Sequence, residues 1–514
     1  MNRRTQHLFI AVFLLILFLL LLNLGMEKPL DHDEHQFVAS AALYARDGLL
    51  PYRDYPYFHQ PYLVFIYGTI FQFSDRLLFS ARLFSILCTF TTLTLVFGLF
   101  YRRFGREAFP KRFLLAVGGI VMLIGSPLFA HTAGLAWNHD LPMLLTLGAF
   151  LLYTRAIRRQ GGILTPLLAG LLLGVATGVR LSFAPLFAPF ALLSFFYRQT
   201  LPRNVVWQLP TLFAAGFSLA LLPSLLFLVQ YPTAYLFGNL QYPVLNTLYR
   251  EGLGYTRSMD FFSKILYTLE VLVQPGNLLI VAAALFFAFR KAWIGDSRRN
   301  HRRPEVFFVL LLLPFLLIGT FAPTPSFKQY FYPPLFFCFL AAAYGLTEFP
   351  RESPHPQRHL TIWGLLLILF SLYNLPQFPD SFRLSKAKYW QPNQIHRLGK
   401  SVGNTLAAEG PVLTFAPIIP LEGGLAIYPQ LVTGPFAWRT SSYLSGEERK
   451  TYRMLAESDL SEFLQEHPPA AILQGFEWRE EPALIDYARE MGYQEKSLLM
   501  GKRLWIAPRR EDNN

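Results

Sequence analysis

Three carboxylates stand together in the segment Asp31-His32-Asp33-Glu34-His35-Gln36-Phe37, directly after the first apolar run of the sequence. An ionised side chain inside a bilayer is costly, so acids that cluster at a membrane edge indicate a functional site. Such carboxylates act as general bases or as oxygen ligands of a divalent cation. The sequence up to Pro61 is polar and aromatic and contains no second span. We therefore interpret residues 31–61 as the lip of an active site that faces away from the cytoplasm.

These acids admit structural as well as functional interpretations. Asp31 and Glu34 have the D-x-x-E spacing of a capping box, in which Asp31 is the N-cap and Glu34 the third helical residue. Asp33 points about 100° away from Glu34 on a helix, so we expect Asp33 to line a polar stripe and Glu34 to lie off it. The alternative role for Asp33 is that of a helix-dipole partner in the first turn. The other residues on its face are Gln36, Phe37, Ser40, Tyr44 and Asp47.

The composition is that of a polytopic membrane protein. Apolar residues make up 53% of the 514 residues and charged residues only 15%, which excludes an ordinary soluble domain. The net charge of +13 does not indicate nucleic-acid binding, because the basic residues fall in short clusters between apolar runs. Cys88 and Cys338 lie in separate apolar segments, so neither a disulfide framework nor a thiolate metal site is expected.

Apolar runs predict about eleven membrane helices of about 20 residues each. The predicted spans are 8–25, 77–100, 113–131, 139–156, 164–181, 184–197, 209–230, 265–289, 305–322, 330–347 and 360–375. The first run lacks a small-x-small cleavage site, so we interpret it as a retained helix rather than a signal peptide. The basic clusters fall on alternate loops, which predicts a cytoplasmic N-terminus and an extracytoplasmic tail in the inner (plasma) membrane.

This topology divides the chain at about residue 375. Residues 1–375 are predicted to form the membrane domain, with partly helical outer loops at 26–76 and 231–264. Residues 376–514 are predicted to form a small extracytoplasmic α/β domain. Its expected strands are 411–415, 470–473 and 503–507, and its expected helices are 446–466 and 481–491.

An acidic pair that opens the first outer loop resembles the polyprenyl-phosphate-sugar-dependent glycosyltransferases of the GT-C fold. Asp33-Glu34-His35-Gln36-Phe37 is similar to the Asp-Glu-x-His-Phe signature of protein O-mannosyltransferases, with the His displaced. Tyr57-Phe58-His59-Gln60-Pro61-Tyr62 resembles the Lys-Pro-Pro-Leu segment of lipid A aminoarabinose transferases, with His59 in place of Lys and Gln60 in place of the first Pro. The later segment Trp137–Pro142 contains Asp140, which resembles the family's Asp at the outer start of the fourth span. The segment Phe327–Pro333 resembles the family's Arg/His-Tyr-x-x-Pro sequence before a late span.

The resemblance covers most of residues 8–350 by topology and implies a function. It implies an inverting transfer of a sugar from a polyprenyl phosphate to a glycan, lipid or protein acceptor on the outer face. The implied catalytic residues are Asp33, Glu34 and Asp140. Asp140 could instead orient the acceptor or cap the fourth helix, and with Asp33 it could hold a divalent metal, for which no third ligand stands out. We expect Asp33 and Asp140 to converge beside a slot for the prenyl chain.

Cations or a metal must stabilise the departing phosphate. The candidate phosphate-binding residues are Arg180, Lys328, His59, Arg257 and Arg53, and the candidate substrate-lining residues are Gln36, Tyr44, Tyr57 and Tyr330. Arg180 interrupts an apolar outer helix end, where a cation needs an anion. The alternatives are snorkelling for Arg180 and Lys328, a solvated loop charge for Arg53, Arg250 and Arg257, and an interfacial belt for the aromatic residues.

Three other functions fit the same sequence less directly. A transporter or flippase of lipid-linked sugars would place acids or broken helices near the membrane midplane. A glycan ligase would share the outer-side chemistry. A non-catalytic assembly protein would use its tail to bind partners. The sequence has neither a phosphate-binding loop of the G-x-x-x-x-G-K type nor a dinucleotide fingerprint, which agrees with a lipid-linked donor.

Overall fold

The computed structural model describes residues 2–105, 107–293, 304–348, 365, 383–406 and 410–508. Five of its helices are long and apolar enough to cross a membrane, or six if a bent helix pair counts as one span. The predicted span 360–375 lies, apart from Leu365, outside the described residues. The five long helices are α1 (Arg3–Glu27), α4 (Leu77–Arg103), α7 (Asp140–Ile157), α10 (Arg203–Gln230) and the helix Pro304–Phe321.

Shorter helices complete the membrane part. They are α2 (His32–Asp47), α3 (Tyr62–Phe71), α5 (Phe109–Ile124), α6 (Pro127–Thr132), α8 (Leu164–Val179), α9 (Phe187–Phe196), α11 (Pro232–Leu236), α12 (Tyr242–Gly252), α13 (Phe261–Leu272), α14 (Pro275–Trp293) and Tyr332–Glu348. The 3₁₀ turns Leu181–Leu186 and Lys328–Phe331 and the π-helical turn Phe237–Gln241 connect them. The prediction of one continuous helix at 265–289 was wrong, because α13 and α14 meet at an angle of 99°. Pro275 opens α14, where its missing N–H costs nothing, and ends the preceding helix.

Residues 26–76, the predicted first outer loop, contain α2 and α3. Asp31 caps α2: its Oδ1 accepts the N–H of Asp33 at 2.9 Å, and Glu34 Oε2 accepts the N–H of Asp31 at 3.0 Å. The predicted capping box is therefore present. Gly48, in the left-handed conformation with φ of 67°, ends α2. The cap fixes the first turn of α2, so it also fixes the position of Asp33.

Four connecting segments of the membrane part meet in the structure. The first loop contacts the turn 131–140 and the loop 231–264, which in turn contacts the turn 321–329. These hydrogen bonds join Lys28 Nζ to the carbonyl of Ala133 at 2.5 Å, Gln60 Nε2 to Asn239 Oδ1 at 2.8 Å, and Thr247 Oγ1 to the carbonyl of Thr324 at 2.8 Å.

The tail contains a four-stranded sheet in the order β1-β2-β4-β3. Its strands are β1 (Val412–Leu413), β2 (Ala471–Gln474), β3 (Gln494–Ser497) and β4 (Arg503–Ile506). β1 and β2 are parallel, and the other neighbouring pairs are antiparallel. β3 was not predicted because it is an edge strand whose side chains are all exposed, so it has no apolar alternation. The tail helices are Gln391–Leu406, Ile418–Glu422, Pro435–Ser441, Gly446–Tyr452, Glu457–Glu466 and Pro482–Glu490.

The tail and the first outer loop share one hydrophobic core. Phe37 and Leu63 of the loop pack in the same buried cluster as Ile395, Val412 and Ile419 of the tail. Burying this common apolar surface holds the tail against the membrane domain. The tail therefore forms part of the wall around Asp33.

Candidate active site

Asp33 lies at the start of α2, with 27% of its side chain exposed. We call its surroundings, with Arg180, Tyr242, Arg250 and Tyr330, the Asp33 recess, because these groups are close enough to act on one another electrostatically. Burial raises the pKa of this carboxyl to about 6, while the charges of His32, Arg180 and Arg439 act in the opposite direction. His32 Nε2 is 3.8 Å from Asp33 Oδ1. The two arginines come from α8's C-terminal end and from the tail. The fold thus brings cations from distant parts of the chain to Asp33.

Arg180 is held in a fixed orientation by neutral groups. Its Nη1 donates to Asn138 Oδ1 at 3.0 Å and to His139 Nε2 at 2.7 Å, and its Nε donates to Ser182 Oγ at 2.9 Å. The guanidinium carbon lies 4.5 Å from the centre of the Tyr330 ring. No carboxylate in the part of the chain that the structure describes forms an ion pair with Arg180. A cation oriented in this way is available to an anionic ligand.

Tyr242, Arg250 and Tyr330 line the same recess as Asp33. Burial raises the pKa of Tyr242, and both Asp33 and Arg250 contribute to the field at its hydroxyl. The Arg250 guanidinium lies 5.6 Å from the ring of Phe327. Its Nε is buried and has no hydrogen-bond partner among the described residues. The sequence had suggested a solvated loop charge for Arg250.

The tail forms a roof over the recess. The ring of Phe436 lies 5.4 Å from that of His32, and the Phe436 carbonyl accepts the Tyr242 hydroxyl at 3.4 Å. Arg439 is clamped by Glu477 at 2.9 Å and by Glu480 at 2.5 Å. These contacts fix the helix Pro435–Ser441 beside His32.

Glu34 is fully buried, and both its oxygens are engaged. Oε1 accepts Arg82 Nε and the N–H of Ala136, both at 2.8 Å, and Oε2 accepts Arg82 Nη2 at 2.5 Å. These bonds join α2 to α4 and to the turn before α7. The structure therefore gives Glu34 positioning contacts, and its catalytic role stays a prediction.

Asp140 is buried at the start of α7 in a set of contacts separate from that of Asp33. Its Oδ1 accepts Thr89 Oγ1 at 2.8 Å, and its Oδ2 accepts the N–H of Gly134 at 3.0 Å. The charge of Asp140 also acts on Lys28, whose pKa burial lowers to about 7. His139, the residue before Asp140, accepts a hydrogen bond from Arg180 and so connects the start of α7 to the Asp33 recess.

His59 lies beside the recess as a neutral imidazole. Burial and the charge of Arg180 lower its pKa to about 3. Its Nδ1 is 3.5 Å from Asn138 Nδ2, and its ring is 5.0 Å from that of Phe37. A neutral His59 would offer a phosphate a hydrogen bond without a charge.

The remaining predicted cations lie in different surroundings. Arg53 pairs with Asp54 at 2.8 Å and is 41% exposed, and Arg257 pairs with Glu270 on the surface. Lys328 is half-buried beside His131, and burial lowers its pKa. Of the five candidates, the structure brings Arg180 and His59 to the Asp33 recess.

The predicted substrate-lining residues also lie in different surroundings. Tyr330 lies in the recess, whereas Tyr44 packs edge-on against Phe65 at 5.0 Å. Gln36 and Tyr57 are buried, and the Tyr57 hydroxyl has no partner among the described residues.

Asp31, His32 and Asp33 are the group that could hold a metal ion in the described part of the chain, since one ligand atom from each lies within 4.8 Å of the others. Oδ1 of Asp31 is already an acceptor for the Asp33 N–H. Asp140, which the sequence suggested as a metal ligand together with Asp33, does not belong to this group.

Sequence reasoning missed Arg82, Lys28 and Arg439. The first two had a signal, because Arg82 interrupts an apolar run and Lys28 follows the first one. The rule that drew attention to Arg180 applies equally to Arg82. Arg439 had no local signal, since its position depends on how the tail folds back.

No family model matches the sequence, and no curated protein matches it. ArnT from Cupriavidus metallidurans bound to undecaprenyl phosphate superposes with a TM-score of 0.62 at 12% identity, over 97% of this chain and 99% of ArnT. The apo state of ArnT gives a TM-score of 0.61 at 12% identity, over 98% of both chains. The chain has the GT-C fold.

The GT-C fold was implied by the sequence resemblance and is confirmed over nearly the whole chain, the tail included. It accounts for the polytopic helical bundle with a small sheet at the C-terminal end. At 12% identity the likeness establishes the fold. The roles of individual side chains rest on their contacts in this structure.

Proposed function

We propose that the chain is an inverting glycosyltransferase, which moves a sugar from a polyprenyl phosphate to a hydroxyl group on the outer face of the membrane. The proposal rests on the proximity of Asp33, Arg180 and Tyr330, which lie close enough to interact electrostatically in one recess. A carboxylate beside an arginine without a carboxylate partner provides a base and an anion site together. The GT-C fold shared with a protein bound to undecaprenyl phosphate supports a lipid-phosphate donor.

In this proposal Asp33 is the general base. It takes the proton of the acceptor hydroxyl while that oxygen attacks the anomeric carbon. The bond between the sugar and the phosphate oxygen breaks, and its electron pair leaves with the polyprenyl phosphate. Attack from the face opposite the leaving group inverts the anomeric centre.

The leaving phosphate needs positive charge and hydrogen-bond donors. Arg180 supplies a preorganised guanidinium, and the Arg250 side chain has a buried donor without a partner. His59 and Tyr330 add neutral donors. Glu34 positions α2 through Arg82, and Asp140 positions the turn before α7 through Gly134.

The proposed location is the inner (plasma) membrane, with a cytoplasmic N-terminus and the tail outside. Residues 1–375 would then form the catalytic membrane domain and 376–514 an extracytoplasmic cover. The acceptor is a glycan, a lipid or a protein. A divalent metal at Asp31, His32 and Asp33 fits the oxygen-rich ligand set and would neutralise phosphate charge when bound.

The test compares Asp33→Asn with Asp47→Asn, an exposed acid at the other end of the same helix. Glycolipids of cells with and without the chain are first compared by mass spectrometry to identify the product. The purified full chain is then assayed in nanodiscs with the corresponding polyprenyl-phosphate sugar. We expect Asp33→Asn to lose about a thousandfold in turnover or more, because a general base contributes about 10²–10⁴-fold. Asp47→Asn should retain normal turnover. Normal turnover in a folded Asp33→Asn variant removes Asp33 from the mechanism.

The 99° break between α13 and α14 favours a second function, a flippase of lipid-linked sugars, since transporters use broken helices. The two functions predict different solvent accessibility at position 33. If the chain is a transferase, cysteine at position 33 should react with a membrane-impermeant reagent that is added on the outer side and should not react with reagent added on the other side. Alternating accessibility from both sides would support the flippase.

A further inference from the structure

Six exposed cations lie in or beside a groove where the tail meets the membrane domain, and three of them line it. We call them the basic rim; they are Arg76, Lys386, Lys388, Arg397, Lys400 and Lys496. The groove has a volume of about 620 Å³ and is lined by His396, Arg397, Lys400, Ser401, Asn404, Thr405 and Lys496. Most of its lining comes from one helix, Gln391–Leu406, whose opposite face is buried. The groove lies outside the Asp33 recess and plays no part in the proposed transfer.

The groove lies at the level of the membrane surface. Lys400 Nζ is 3.8 Å from Asp75 Oδ2, and Asp75 precedes the membrane helix α4 by two residues. Trp390, next to the start of the groove helix, stacks at 6.4 Å on Phe79 in the first turn of α4. The beginning of α4 marks the edge of the apolar layer, so the groove opens at the depth of the lipid headgroups.

The basic rim has few acids to neutralise it. Lys400 is paired with Asp75, and the rim residue Arg76 lies 3.5 Å from the neutral Asn393. No ion pair joins a carboxylate to the other rim residues within the described chain. The acid nearest His396 is Glu422, which is fully buried beneath the groove. The surface that faces outward is therefore cationic.

We propose that the basic rim and its groove bind the phosphate headgroups of anionic phospholipids in the leaflet that faces the tail. Lysine and arginine side chains near a membrane surface attract anionic headgroups. Ser401, Asn404 and Thr405 add uncharged donors between the cations, which suit the remaining phosphate oxygens. Phe73 and Tyr389, which are 85% and 45% exposed beside the rim, can enter the interfacial layer. Such binding anchors the tail to the bilayer over the recess.

The test measures phospholipid binding to the full chain. The protein is reconstituted in nanodiscs of phosphatidylcholine with or without an equal part of phosphatidylglycerol, and retained lipid is quantified by native mass spectrometry. The rim variant is Arg397→Gln/Lys400→Gln/Lys496→Gln. The control variant, Lys450→Gln/Arg479→Gln/Arg489→Gln, removes three charges elsewhere on the tail. Each cation near the membrane surface contributes about fivefold to the affinity for an anionic lipid, so we expect the rim variant, which lacks three, to bind phosphatidylglycerol about a hundredfold more weakly. The control variant should bind it as tightly as the parent chain.

Two results would overturn the proposal. One is equal phosphatidylglycerol retention by the rim variant and the parent chain. The other is binding of soluble glycerol 3-phosphate with an affinity equal to that for phosphatidylglycerol, which would make the groove a site for a free phosphate rather than a lipid. The melting temperature in phosphatidylcholine alone shows whether the variant is folded. If the triple variant is not, Lys496→Gln on the exposed strand β3 replaces it, with about a fivefold loss expected.

Discussion

Glu34 and Arg82 form a fully buried ion pair with two charge-assisted hydrogen bonds, Nε to Oε1 at 2.8 Å and Nη2 to Oε2 at 2.5 Å. Arg82 also donates to the carbonyls of Gly25, Lys28 and Pro29. One arginine of α4 therefore ties down the end of α1, the connecting turn and the start of α2. The position of Asp33, one residue before Glu34, depends on this pair.

Breaking the pair from one side should destabilise the chain strongly. Arg82→Met leaves a buried carboxylate without its partner, which costs about 3–5 kcal/mol. We expect a large fall in the melting temperature of the purified protein. The double variant Glu34→Gln/Arg82→Met removes both charges and should recover part of the loss. A double variant no more stable than Arg82→Met would show that the carbonyl contacts of Arg82, rather than the charge pair, carry the stability.

The pH dependence of turnover should report the ionisation of Asp33. Burial raises the pKa of Asp33 to about 6. A general base must be deprotonated, so kcat/KM should rise with pH and level off above about pH 6. Arg439 lowers the pKa of Asp33, and its removal should therefore raise that pKa.

The corresponding comparison is between Arg439→Gln and Arg449→Gln. Arg449 is also a tail arginine in an ion pair, with Asp459 at 2.7 Å, but it does not act on Asp33. We expect the acidic limb of the kcat/KM profile to move to higher pH in Arg439→Gln and to stay in place in Arg449→Gln. A limb that does not move, in a variant with an unchanged melting temperature, would separate Arg439 from the base.

How much the sequence could predict depends on whether a signal is local. Asp33, Arg180 and Tyr330 were all chosen from local patterns, and the fold places them in one recess. Hydropathy located the five long apolar helices because it averages over about 20 residues. The same averaging hid the break at Pro275, since the apolar run continues on both sides of it.

Contacts between distant segments could not be predicted from one sequence. Arg439 reaches the recess because the tail shares a core with the first outer loop. Arg250 reads as a loop charge until the chain folds it against Phe327. The sequence pairs Asp140 with Asp33, but it does not show that Thr89 and Gly134 donate hydrogen bonds to the Asp140 oxygens. In each case the missing information was three-dimensional.

Arg180 should bind the donor phosphate and contribute little to the fold. Arg180→Gln removes the charge, and Arg180→Lys keeps the charge but loses the planar fork. We expect the KM for the polyprenyl-phosphate sugar to rise about tenfold or more in Arg180→Gln and less in Arg180→Lys, since charged hydrogen bonds contribute about 1.5–3 kcal/mol. Arg257→Gln, at an exposed ion pair, is the matched control and should leave the KM unchanged. A KM that stays normal in Arg180→Gln would assign the phosphate to other residues.

Glu422 should hold the tail on the membrane domain. Its Oε1 accepts the N–H of Leu78 at 2.8 Å, in the first turn of α4, and its Oε2 lies 2.6 Å from His396 Nδ1. A tail residue thus caps a membrane helix whose N-terminus has no side-chain cap of its own. Glu422→Ala should leave the Leu78 N–H buried without a partner and cost about 1–3 kcal/mol. Hydrogen exchange should then become faster in both α4's first turn and the helix Gln391–Leu406, while Glu457→Ala, an exposed acid of the tail, should change neither. Faster exchange in the tail helix alone would mean that Glu422 stabilises the tail without anchoring it.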